Sequence, residues 1–174
     1  ITDTPENRFP SIKGATKTGV FGYKKLKDID QMLSVLPVVD TIAIQSDSFA
    51  GLQAAAAFTL RGKEVIFIAS SDNFLTAYFE GDVLHWLISR IESAGVQVML
   101  NNSITEILGE KDARAVRIKT GKVFSVQVIL FMETDEDLRL FSGSELQMNK
   151  KINVDARFRS SVDSIFALDQ VCSP

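Results

Sequence analysis

Residues 41–70, TIAIQSDSFAGLQAAAAFTLRGKEVIFIAS, constrain the fold more than any other part of the chain. An apolar run of strand length leads into a short polar turn. An alanine-rich segment of helical length follows, Gly62 is placed to cap its end, and a second apolar run completes the stretch. A strand that is apolar at every position has to be covered on both faces, which is the habit of parallel sheets. Two such strands joined through a helix pair in parallel with a right-handed crossover. A layered α/β domain satisfies both conditions.

The flanking sequence extends this pattern. Residues 24–36 carry apolar side chains at 26, 29, 32, 33 and 36, a helical spacing stopped by Pro37. Residues 80–94, EGDVLHWLISRIESA, read as an amphipathic helix, and VQVMLN (96–101) as a third strand. SITEIL, ARAVRIK and VFSVQV are short and separated by the turn signals GEKD and TGK, the pattern of a three-stranded antiparallel meander. VILFME (128–133) returns to the buried-strand pattern. Residues 1–19, with two prolines and two glycines, are expected to form an irregular arm, and strand-like pieces recur near 152–154 and 164–167.

Composition removes several function classes. The formal charge is −3, so nothing points to nucleic acid or an anionic membrane surface as a partner. No apolar run approaches the ~18 residues of a membrane helix. The single cysteine, Cys172, excludes an internal disulfide and a Cys-x-x-Cys redox pair. The single histidine, His85, lies in the amphipathic helix and reads as a surface or boundary residue. No catalytic residue and no metal site are expected, and ETDED (133–137) reads as a solvated acidic loop. A cytoplasmic location is expected. The chain opens with Ile1 rather than Met and is expected to be a piece of a longer one.

The polar turn is where chemistry would sit. A βαβ unit that holds a dinucleotide uses Gly-x-Gly-x-x-Gly. The first glycine makes the tight turn, the second lets backbone reach the pyrophosphate, and the third packs helix against strand. Here the register is Ser46-Asp47-Ser48-Phe49-Ala50-Gly51, so only the packing glycine remains. Ser48 puts a hydroxymethyl group where a pyrophosphate would press. Asp47 adds negative charge near the helix N-terminus, where it can act as the cap. The acid that commonly takes the adenosine ribose at the end of the second strand is replaced by Ala69, followed by Ser70 and Ser71. Asp72 reads as a turn residue.

The segment GVFGYKKLKDIDQML…VVDTIAIQSDSFAGLQAAAAFTLRGKEVIFIASSDNFL resembles the NAD(P)H-binding domain of the pyridine nucleotide-disulfide oxidoreductase class of FAD-dependent flavoproteins. The branch it most resembles is that of rubredoxin and ferredoxin reductases and the nitrite reductase large subunit. The resemblance rests on Gly19-Val20-Phe21 with Leu26 and Asp28, on Phe49-Ala50-Gly51-Leu52-Gln53, on GKEVIFI and on AGVQVMLNNSITEI. It implies a Rossmann-like doubly wound parallel sheet with the antiparallel meander, of the FAD/NAD(P)-binding type. It also implies a domain threaded into an FAD domain: residues 1–19 as the crossover arm, 20–148 as the NAD(P)H-binding-like domain and 149–174 as the return segment. FAD would then sit in the missing domain of the parent chain, which becomes the partner of this one, and a homodimer is a further expectation.

The candidate cofactor contacts that follow for NAD(H) are Ser46, Ser48, Phe49, Gly51, Gln53, Ala69, Ser70 and Thr134. The chain departs from the class at Glu133 and Thr134, where the class has a small turn beside the nicotinamide, and at Asp169 and Gln170 in the return motif. Three readings stay open. One is a dinucleotide domain that passes electrons from NADH through flavin to rubredoxin, ferredoxin or a nitrite-reducing centre, with a weakened site. Another is a non-catalytic module that keeps the fold, and the third is a cleft at the switch point that holds some other polar ligand through Ser46, Ser48 and Thr134. Phe74, Tyr78 and Phe79 could serve such a module as a contact patch, and the helix-to-sheet interface is the plainer place for them.

Overall fold

The computed structural model describes residues 6–7, 9–72, 74–76, 79–132, 134–135, 141, 143–149, 151–168 and 172–173. The chain divides into two compact units, one of residues 7–133 and one of residues 1–6 with 134–174. Strand β1 (Glu6–Asn7) falls at the division.

The larger unit is built on a five-stranded, wholly parallel sheet. Its strands are β2 (Val20–Phe21), β3 (Thr41–Gln45), β4 (Glu64–Ile68), β5 (Gln97–Met99) and β9 (Val128–Phe131), in the order β2-β9-β3-β4-β5. Between them run helix α1 (Leu26–Val35), a short 3-10 turn (Leu36–Val38), α2 (Phe49–Thr59) and α3 (Gly81–Ser93). The meander is a separate antiparallel sheet of β6 (Ile104–Leu108), β7 (Ala115–Ile118) and β8 (Val123–Ser125). The parallel sheet and the meander agree with the expected fold class. The edge strand β2 was not visible in the sequence, because two residues carry no period.

Strand alternation sorts the apolar runs onto two faces. Ile42, Ile44, Val65, Phe67, Val128 and Leu130 pack with Met32 of α1, Leu52, Ala55 and Phe58 of α2, and Leu84 and Ile88 of α3. Ala43, Ile66, Ile68, Ile129 and Phe131 pack instead with Ile104, Ile107, Val116, Ile118 and Phe124 of the meander. Helices therefore cover one face and the antiparallel sheet covers the other. Phe67, Phe131 and the isoleucines of β3 are fully or almost fully buried, each worth about 1.5–3 kcal/mol of transfer free energy.

Part of the N-terminal arm is ordered against the meander. The Ile107 amide donates to the Lys13 carbonyl at 2.8 Å, and Lys13 and Arg117 both pair with Glu106. Gly14 lies at φ +92, and a Cβ there would sit 2.3 Å from the Ile107 carbonyl oxygen, so no side chain fits.

In the smaller unit, β11 (Ile152–Asn153) pairs in parallel with β12 (Cys172–Ser173). Leu146, Ile152 and Ala167 form a small core with Phe141, Met148, Val154 and Val162 packed against it. Residues 164–167 do not form the expected strand. A turn there leaves only an isolated bridge between Arg159 and Phe166.

Candidate functional site

The sheet order reverses direction at β3, whose neighbours are β9 and β4, and crevices at such switch points are the habitual ligand sites of open α/β sheets. The turn from β3 into α2 opens there. Gln45 closes the strand, buried, with its side-chain oxygen accepting the Ile104 amide at 2.7 Å. That bond ties the end of β3 to the start of the meander. The Met132 amide donates to the Gln45 carbonyl at 3.0 Å, so the end of β9 is held alongside.

The turn itself is closed by its own side chains. Ser46 is fully buried, and its amide donates to the Ile68 carbonyl. Its hydroxyl accepts the Ser48 amide at 3.1 Å and lies 2.9 Å from the Ser48 hydroxyl. Ser48 is the N-cap of α2, in extended backbone, with its hydroxyl accepting the Gly51 amide at 3.4 Å. Gly51 is required by packing: a Cβ would fall 2.3 Å from Ser46 Cβ and 3.2 Å from the Phe67 ring.

Asp47 does not cap the helix, contrary to the sequence expectation. Its carboxylate reaches across to the end of β4. One oxygen accepts the Ser70 amide at 2.7 Å and the other accepts the Ser70 hydroxyl in a short hydrogen bond. The cap falls to Ser48 because that residue holds the extended backbone directly before the first helical turn.

Most of the other candidates spread around this turn. Phe49 is exposed on the first turn of α2 and its ring lies 5.8 Å from that of Phe79. Gln53 is exposed one turn further on. Ala69 is wholly buried, its amide and carbonyl bonded to Met99 and Asn102, so Ser70 is the first residue after β4 to reach solvent. Thr134 begins β10 (Thr134–Asp135), and its side chain, like Glu133, Tyr78, Glu136, Asp137, Asp169 and Gln170, lies outside the described residues. Asp72 sits in a turn, as expected, with its amide on the Asn101 side chain at 3.2 Å. Phe74 and Phe79 pack against the helix-side core, the plainer of the two expectations. His85 is exposed on α3.

The parts of a dinucleotide site divide into two groups here. The helix N-terminus, the packing glycine and the switch point are present. At the positions of the motif's first two glycines stand Ser46 and Ser48, and Asp47 between them contacts Ser70. A serine hydroxyl can donate to or accept from a ligand, whereas the Asp47 carboxylate can only accept hydrogen bonds.

Elsewhere in the same unit, a cavity of about 470 Å³ is lined by apolar residues including Phe9, Ile12 and Val20 and by the polar Ser11, Thr16 and Lys17. Lys17 donates its ammonium to the Glu110 carbonyl at 2.7 Å. The lowered pKa values fall away from the turn. The hydrogen bond from Lys13, with the charge of Arg117 beside it, lowers that of Glu106. The Arg159 and Arg157 amides lower that of Asp155. Among the described residues no group of three or more His, Cys, Asp or Glu is placed to hold a metal ion. No helix of the described residues is long and apolar enough to cross a membrane.

The pyridine nucleotide-disulphide oxidoreductase family profile matches residues 5–173. The chain belongs to this family. Within it, the chain is similar to a 5,5'-dehydrodivanillate O-demethylase ferredoxin reductase subunit of Sphingobium, 27% identical over 122 residues that make 69% of this chain and 30% of that protein. It is also similar to an NADH oxidase of Methanocaldococcus jannaschii, 24% identical over 166 residues, 91% of this chain and 36% of the relative. The chain thus spans about a third of the length of these relatives. Among solved structures, a ferredoxin reductase of Rhodopseudomonas palustris superposes with a TM-score of 0.84 at 17% identity, over 98% of this chain and 43% of that one, which shows the shared fold. Sequence reasoning located the family and the turn. It missed the Asp47–Ser70 contact, which joins residues 23 apart and leaves no spacing signal.

Proposed function

We propose that this chain serves as the nicotinamide-dinucleotide domain of a larger FAD-dependent reductase, with a dinucleotide turn weakened by its own side chains. The observation that carries this reading is the closed set of hydrogen bonds among Ser46, Ser48 and Gly51 at the switch point. The helix starts where the pyrophosphate of a dinucleotide would lie, but its first turn is already capped from within.

Relatives named NADH oxidase and ferredoxin reductase subunit support a parent that takes electrons from NADH. FAD would be held by a further domain of that parent, joined through residues 1–19 and 149–174, with rubredoxin, ferredoxin or a nitrite-reducing centre as acceptor. That FAD domain is the expected partner of this one. When bound, the two cofactors supply the redox chemistry, and this domain's part is to position the nicotinamide. Ser46 and Ser48 would meet the pyrophosphate, Gly51 keeps the helix close to the sheet, and Phe49, Gln53 and Ser70 border the cleft. Thr134 remains a candidate on the family resemblance alone.

The same hydrogen bonds favour a second reading, in which the domain keeps the fold as a structural or interaction module and binds no dinucleotide. Calorimetric titration with NADH and NADPH separates the two. Saturable one-to-one binding supports the first reading, and Ser48→Gly is then expected to tighten it. No heat up to millimolar ligand supports the second and overturns the first.

A further inference from the structure

We infer that Asp47 and Ser70 form a latch across the carboxyl ends of β3 and β4, and that Asp47 is the residue that most weakens dinucleotide binding at this turn. The inference rests on the reading above, that the chain is a nicotinamide-dinucleotide domain with a weakened turn.

Both carboxylate oxygens of Asp47 are engaged by one residue, through the Ser70 amide and the Ser70 hydroxyl. Two bonds to one partner fix the orientation of the group as well as its position. The tie spans the mouth between the two strand ends that an adenosine ribose and its pyrophosphate would have to enter. Among the described residues no cation pairs with Asp47, so its charge stays at the mouth.

Side-chain chemistry decides between the serines and the aspartate as the excluding group. A hydroxyl can rotate and donate to a phosphate oxygen, so Ser46 and Ser48 can adapt to an anion. An ionised carboxylate has no proton to donate and repels the anion at short range. The Ser70 amide and hydroxyl, two donors that could face an incoming ligand, are meanwhile consumed by Asp47. One side chain therefore withholds two donors and adds one charge.

The test is NADH titration of the chain and its variants by calorimetry, with thermal unfolding of each variant as a check on folding. Asp47→Gly is expected to bind NADH at least about tenfold tighter than the parent, and Ser70→Ala about threefold tighter, because it loses one of two bonds and leaves the charge. Asp47→Asn, which keeps the shape and removes the charge, is expected to lie between them and serves if Asp47→Gly does not fold. Suppose folded Asp47 variants bind no tighter than the parent while Ser46→Gly/Ser48→Gly does. The latch is then overturned and the dinucleotide reading stands. If Ser46→Gly/Ser48→Gly/Asp47→Gly is folded and still takes up no NADH at millimolar concentration, both fall together.

Discussion

The interior of the parallel sheet and the turn at its edge obey different demands. In β3, β4 and β9 the buried positions are apolar apart from Gln45 at the end of β3, and each face has a partner layer, so the apolar side chains answer to volume. In the turn from Ser46 to Gly51, polar groups sit where the family's glycines would leave backbone open to a ligand. Each has found a partner inside the protein. Apolar packing tolerates few substitutions, because a close-packed interior registers the loss of a single methylene. A ligand turn carries no such penalty once the ligand stops contributing to stability. The contrast sets a core specified by volume beside a turn specified by hydrogen bonds.

Breaking the sheet side of this contrast should have the largest effect. Phe67 is fully buried on β4 beneath Phe74 and α2, and Phe67→Ala is expected to cost about 3–5 kcal/mol in chemical denaturation. Next comes the point where the two regions touch. Gly51→Ala drives a Cβ into Ser46 and the Phe67 ring and is expected to destabilise by about 1–3 kcal/mol. The closest clash is with the Ser46 side chain, so Ser46→Gly in the same chain should recover most of that loss. A double-mutant cycle in which the two losses simply add would remove the packing account of Gly51.

Inside the turn the effect should be smaller. Ser48→Ala removes the N-cap hydroxyl of α2 and is expected to cost about 0.5–1 kcal/mol, the low end for a cap whose hydrogen bond is long. A cost as large as that of Gly51→Ala would mean that the turn is as rigidly specified as the sheet.

The smallest change is expected in the meander, outside both regions, and reads as a pH dependence. The Lys13 hydrogen bond, with the Lys13 and Arg117 charges, holds Glu106 below its ordinary pKa in the folded chain. Its contribution to stability is therefore fully present above the unfolded value near 4.5 and is lost as pH falls through the lower, folded value. Glu106→Gln should lose that contribution at neutral pH and converge with the parent in acid. Parallel stability curves for the two from neutral pH into acid would show that the contact adds nothing.

Much of this was readable along the chain. Both covered faces of the sheet follow from the unbroken apolar runs, the helices from their spacing, and the meander from GEKD and TGK. The two-residue strand β2 was not readable, since its partner β9 lies far along the chain, with Val20 opposite Ile129, and pairing alone makes it a strand. At the site, Gly51 could be assigned to packing from the motif register, and the structure names the atoms it spares. Asp47 was read as a cap because caps are local and sequence shows local neighbours.

The sequence by itself determined that the central strands are covered on both faces, that the turn lacks two of its three glycines, and that the chain is one of this oxidoreductase family. Only the tertiary structure decided that helices take one face and the meander the other, because either layer satisfies an apolar strand equally well. It alone brought Asp47 to Ser70. The two residues stand 23 positions apart, and parallel pairing of β3 with β4 sets their strand ends side by side, where the carboxylate meets the Ser70 amide and hydroxyl.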